Sequence, residues 1–144
     1  MDQGVGMADA RVKIAKDKAE LVKALKDGSD MNGPFQTYAD VIAFAAILGF
    51  HQGKRLPFAE ISIKDPDQVP QDQFKNRQII DLIALNEARD PKILLDNEAC
   101  DRQRIEIFQE YANGGFEFLN QKFIGSIDYL DQILLLLNTE KHLS

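Results

Sequence analysis

The chain is poor in the residues that build disulfides and metal centres. It has one cysteine, Cys100, and two histidines, His51 and His142, in 144 residues. A lone cysteine excludes an internal disulfide and offers no paired-ligand spacing, which fits a reducing compartment. The histidines lie far apart in sequence and neither belongs to an H-x-x-x-H pair, so no zinc spacing is written into the chain. Tryptophan is absent, and the core has to rest on Ile, Leu, Ala and Phe. Long hydrophobic runs are missing as well. Val41 to Phe50 and Ile133 to Leu137 are the longest, well short of the ~20 residues that span a bilayer. No basic segment leading into an apolar stretch stands at the amino end, so the expectation is no secretory signal and a cytoplasmic protein without membrane contact.

The usual catalytic signatures are also lacking. Gly49 to Lys54 reads GFHQGK followed by Arg. A phosphate-cradling loop needs Ser or Thr there and a first glycine one residue further away. No GxSxG elbow occurs, and Cys100 has no signature of a thiolate nucleophile. Pro66-Asp67 matches the first acidic position of one magnesium nuclease motif, but the acidic-x-Lys strand that should follow is absent. Asp81 and Glu87 lie six apart and do not share a helix face. The reading is a non-enzyme with no catalytic residues, no cofactor and no metal, a metal-dependent nuclease being the weakest alternative.

What is present is a chain of globular composition, 44% hydrophobic, long enough to bury about two-thirds of its unfolded surface. Its net charge of −6 is unevenly placed. Through Lys64, nine Lys and Arg stand against eight Asp and Glu; from Asp65 onward, eight stand against fifteen. The second half should repel phosphate backbones, so any nucleic-acid contact belongs to the first.

The pattern predicts a mainly α, compact multi-helix domain with one or two short strands. Residues 1–10 read as a flexible arm and 11–144 as a single, mostly helical domain, with the Pro-bounded stretch near 65–71 as a candidate seam. ARVKIAK alternates, with Val12 and Ile14 on one face and Arg11 and Lys13 on the other. Asp17 and Glu20 form the spacing of a capping box before a helix that stops at Gly28. Thr37 caps a second helix, FQTYADVIAFAAILGF, with Asp40 at its third position and Gly49 as its expected end. That helix is apolar nearly all round and so is core rather than recognition surface. EISIK reads as a strand with Ile61 and Ile63 on one face. A long helix follows with Phe74, Ile79, Leu82 and Ile83 on one side, then Asp90-Pro91 opens a short one. RQRIEIFQEYANGG is helical with Gly114-Gly115 as its break. Ser126 caps a last, leucine-rich helix, either clamped between helices or part of a subunit interface that would make a homo-oligomer.

The order strand, capped helix, loop, capped helix resembles a ribbon-helix-helix module over about 40 residues. That resemblance implies a dimer whose paired strands enter the DNA major groove, with Arg11 and Lys13 facing bases and the N–H groups near Thr37 meeting a phosphate. The chain departs from the module in its long inter-helix loop, its apolar second helix and some ninety further, mostly acidic residues. In the plainer alternative, Arg11 and Lys13 are the solvated face of an edge strand.

Three longer blocks carry a wider resemblance: FQTYADVIAFAAILGFHQGKRLPF (Phe35 to Phe58), IIDLIALNEARDPKILLD (Ile79 to Asp96) and RIEIFQEYANGGFEFL (Arg104 to Leu119). Together they resemble the bacterial DNA phosphorothioation-associated protein 4 family, an accessory of the dnd modification system. The resemblance implies an accessory of modification or restriction machinery in bacterial defence, with proteins of that complex as partners and DNA as a further candidate. A phosphorothioate keeps its charge but carries a weakly hydrated sulfur, so a reader would pair a cation with an apolar lip. Lys54 and Arg55, beside Phe50, Leu56 and Phe58, have that mixture. The same two cations would equally complement a helix carboxyl terminus. The candidate nucleic-acid contacts are therefore Arg11, Lys13, Lys54 and Arg55.

Overall fold

A computed structural model describes residues 10–26 and 35–122. Among them the chain is mainly helical, with four α-helices and one two-stranded antiparallel sheet. Strand β1 (Arg11–Val12) leads through a 3-10 turn (Lys16–Lys18) into α1 (Ala19–Leu25). Helix α2 (Tyr38–His51) is followed by β2 (Val69–Pro70) and a second 3-10 turn (Gln71–Gln73). Helix α3 (Gln78–Ala88), a third 3-10 turn (Pro91–Leu94) and the long α4 (Glu98–Lys122) complete the order. Residues 1–9 of the amino-terminal arm and the leucine-rich helix read from Ser126 lie outside the described residues; Ala10, the last residue of the arm, is held by Gln71.

Helix α4 is the axis on which the rest packs: α2, α3, the third 3-10 turn and β1 all rest against it. From Glu110 to Phe116 every residue of α4 is buried. Gly114 and Gly115 therefore do not break the helix, which runs on to Lys122. Their role is close approach. A methyl group at Gly115 would meet the carbonyl of Ala45 on α2, and one at Gly49 would meet the carbonyl of Tyr111 on α4. The two helices touch backbone to backbone there, which only residues without a Cβ allow.

Gly49 thus sits inside α2 rather than ending it. The helix continues to His51, Lys54 N–H reaches back to Gly49 O at 2.8 Å, and Gly53 supplies the left-handed turn at φ 65°. The amino end is as the sequence predicts: Thr37 Oγ1 accepts from Asp40 N–H at 3.1 Å. Burial of α2 on several sides also holds, through Ala39, Val41, Ile42, Ala45, Ala46, Leu48 and Gly49, while Ile47 stays exposed.

Other local expectations are corrected. The Asp17–Glu20 capping box does not form. Lys16 N–H is tied to Glu60 O at 2.9 Å, the chain enters as a 3-10 turn, and neither cap position accepts a side-chain bond. Around residue 61 the backbone pairs only briefly, through Ala15 opposite Ile61. Ser62 faces inward, donating to Pro66 O at 2.7 Å, and Ile63 is 68% exposed, because the chain turns away before the alternation can bury it. Within the Pro-bounded stretch, Val69 and Pro70 form β2, opposite Val12 and Arg11. Phe74 precedes α3 instead of lying on it, and meets Phe108 edge-on at 5.5 Å. The buried stripe of α3 is Ile80, Ile83 and Ala84, leaving Leu82 63% exposed. Beyond Arg89, in the left-handed region at φ 56°, Asp90 accepts from Lys92 N–H at 3.0 Å and Pro91 opens the turn as expected.

A buried polar cluster holds that turn to α4. Arg104 donates from Nη1 to Ile93 O at 2.6 Å and to Leu95 O at 3.0 Å, with Nη2 3.4 Å from Asp101. Gln71 donates to Asp101 Oδ2 at 3.1 Å and to Ala10 O at 2.8 Å, while Arg77 donates to Gln71 Oε1 at 2.8 Å. Every member is bonded, so the cluster specifies the packing instead of weakening it. No helix among the described residues is long and apolar enough to cross a membrane.

Candidate functional site

The four cations singled out from the sequence fall into two places. Lys54 and Arg55 lie in the segment that leaves α2 and runs along α4. The contact is close: Leu56 N–H donates to Glu110 O at 3.0 Å, Asn113 Nδ2 donates to Leu56 O at 3.0 Å, and a methyl at Gly114 would meet Lys54 O. Held there, Arg55 spans two carboxylates. Its Nε donates to Glu110 Oε1 at 2.7 Å and its Nη1 to Glu87 Oε2 at 2.6 Å. The other oxygen of Glu87 accepts from the Tyr111 hydroxyl at 2.6 Å, and Phe50 packs edge-on against the Tyr111 ring at 5.4 Å.

This geometry sets the charge states. Tyr111 and then Arg55 hold the Glu87 carboxyl below its usual range. Burial, reinforced by Glu87, pushes the Tyr111 hydroxyl up to about 12. Burial draws the Arg55 guanidinium down, but the bonds to Glu110 and Glu87 outweigh it and the net direction is upward. Arg55 joins three parts of the fold, with its planar fork filled by protein carboxylates. The sequence reading did not find Glu87, Glu110 or Tyr111 as partners. A usable signal was present in Glu110-Tyr111, a polar pair within the stretch of α4 that the neighbouring apolar residues mark as buried.

Arg11 and Lys13 line a groove of about 890 Å³ between β1 and the amino-terminal half of α4. Phe58, Ile61 and Ile105 also line it, and α4 contributes Glu98, Arg102 and Glu106. Arg102 is paired with Glu98 at 3.1 Å. Lys13 N–H donates to Gln109 Oε1 at 2.9 Å, so this strand is anchored to the helix beneath it. The ribbon-helix-helix geometry requires β1 to pair with its mate from a second copy. Here β2 of the same chain is its antiparallel partner, and carboxylates of α4 share the groove with Arg11 and Lys13.

The amino end of α2, the other element of that comparison, opens on a smaller hollow of about 380 Å³ lined by Lys26, Thr37, Tyr38 and Lys64. Lys26 Nζ lies over the Tyr38 ring at 5.3 Å, and the Tyr38 hydroxyl donates to Asp65 at 2.7 Å. Burial and that acceptor push Tyr38 up to about 12. Among the described residues, no three His, Cys, Asp or Glu side chains converge as a metal site.

No curated protein and no solved structure matches the chain. The family model for DNA sulphur modification system-associated protein 4 matches residues 11–144, which takes in α2, the Arg55 cluster, every groove residue but Ala10, and all of α4. By that match the chain belongs to the DNA sulphur modification system-associated protein 4 family.

Proposed function

We propose that this chain is a non-catalytic accessory protein of a DNA sulphur modification system, working in the cytoplasm by contact with other proteins of that system. The family match over residues 11–144 supports the association with that system. The charge distribution supports protein partners over DNA. The second half of the chain is acidic, Arg55 is filled by Glu87 and Glu110, and Arg11 and Lys13 share their groove with Glu98 and Glu106. A polyphosphate laid along that groove would meet both signs of charge.

The test is recovery of the tagged protein from its native host, with and without nuclease treatment. The expected result is co-purification of sulphur modification or restriction proteins that survives nuclease. Recovery of DNA alone, or partners that disappear with nuclease, would support a DNA-binding role instead. Cleavage of DNA by the purified protein with magnesium, abolished in Asp67→Ala, would overturn the non-catalytic reading.

A further inference from the structure

The groove between β1 and α4 has features that select among ligands. Its volume is about 890 Å³, and its lining mixes charged, amide and apolar side chains. Arg11 and Lys13 bring positive charge along one side, and Glu106 brings negative charge along the other; none of the three forms an ion pair among the described residues. Nucleic acid, with a negative charge on every unit, is disfavoured by Glu106, unpaired among the described residues, whereas a single carboxylate can be met by Arg11 and Lys13 away from it. A metal ion is disfavoured because Glu98 is taken by Arg102 and Asp101 by Gln71 and Arg104.

The amide chemistry of this surface points to polypeptide. The segment Ala10–Lys13 is itself an extended backbone held by glutamines: Gln71 donates to Ala10 O at 2.8 Å and Gln109 accepts from Lys13 N–H at 2.9 Å. Two further glutamines, Gln68 and Gln103, line the groove, and their side-chain amides make no hydrogen bond among the described residues. A primary amide offers both a donor and an acceptor, as the N–H and C=O of an extended chain require.

From this arrangement we infer that the groove binds an extended segment of a partner protein. Its main chain is met by Gln68 and Gln103, an acidic side chain by Arg11 and Lys13, and an apolar side chain by Phe58 and Ile61. This deepens the accessory role proposed above and rests on it as to where the partner belongs.

A benzoyl-phenylalanine photocrosslinker placed at the exposed Ala99, which lines the groove but is none of its proposed contacts, tests it in the full chain in the native host, with the same probe at the exposed Ile63, outside the groove, as control. The expected adduct forms from Ala99 and not from Ile63, and maps to one stretch of a sulphur modification protein. It should fall at least tenfold in the surface variant Arg11→Glu/Lys13→Glu and in Ala59→Trp, which fills the groove from an exposed position. If system proteins co-purify but no adduct forms from Ala99, or the charge reversal leaves it unchanged, the groove inference fails while the accessory role stands. An adduct to a protein foreign to the system that also falls tenfold on charge reversal keeps the groove and removes the accessory role. Adducts to DNA, or no partner and no adduct, overturn the groove inference.

Discussion

Arg55 Nε and Glu110 Oε1 lie 2.7 Å apart although 55 residues separate them in sequence. The pair is completed by Glu87 at 2.6 Å, so one guanidinium fastens the segment after α2 to both α3 and α4. Glu110 is nearly buried and Arg55 about one-third exposed, which places the bond between a surface salt bridge and a core one.

Removing the cation should therefore cost more than an exposed pair would. Arg55→Ala leaves Glu110 without its partner and is expected to destabilise the fold by about 2 kcal/mol. Arg55→Lys should recover only part of that, since an ammonium lacks the fork that reaches both carboxylates. Thermal unfolding of the three proteins at one pH checks the order.

Acid should weaken the same cluster. Glu87 has a folded pKa below its unfolded value of 4.5, so its contribution is complete above pH 4.5 and is lost as pH falls through the lower, folded value. Melting temperatures measured from pH 7 down to pH 3 should decline below that point, and less steeply in Tyr111→Phe, which removes the first cause of the shift.

Alkali acts through the tyrosines with the opposite sign. Tyr38 and Tyr111 titrate at about 12 when folded against 10 otherwise, so their contribution is complete below pH 10 and lost between pH 10 and 12. Spectrophotometric titration at the phenolate band should show two tyrosines ionising late. The double variant Tyr38→Phe/Tyr111→Phe should lose both.

Two glycines should respond differently to the same methyl group. Gly115→Ala drives a Cβ into the Ala45 carbonyl, where neither helix can yield, and is expected to cost about 3 kcal/mol or more. Gly53→Ala meets no atom within 4 Å and carries only the strain of its φ of 65°, about 1 kcal/mol. Chemical denaturation should separate the two by their midpoints.

Arg104 organises the third 3-10 turn. Arg104→Leu strands two carbonyls and leaves the buried Asp101 with Gln71 as its remaining donor, an expected loss of about 3 kcal/mol. Limited proteolysis should show faster nicking within 89–97 in this variant than in Arg104→Lys, which keeps the charge.

The sequence by itself determined the features that depend on neighbours along the chain. Helical class followed from apolar periodicity, the α2 cap from Thr37 and Asp40, and the opening of the third turn from Asp90-Pro91. The burial of Val12 and Ile14 followed from strand alternation. Family membership was also legible, because Phe35–Phe58 and its two companion blocks stand in order along the chain. The tertiary structure alone decided what depends on contacts across the chain. A glycine pair reads locally as a helix break, yet Gly114 and Gly115 lie mid-helix because Lys54 and Ala45 press against them. Ser62 faces inward and Ile63 outward because the backbone leaves its pairing there. Arg55 was legible as an exposed cation beside apolar residues, but its carboxylates lie 32 and 55 positions away, and no local pattern could tell a free charge from a filled one. The same holds for Arg11 and Lys13. Their alternation fixes the face they occupy, and only the packing of β1 on α4 puts that face beside Glu106.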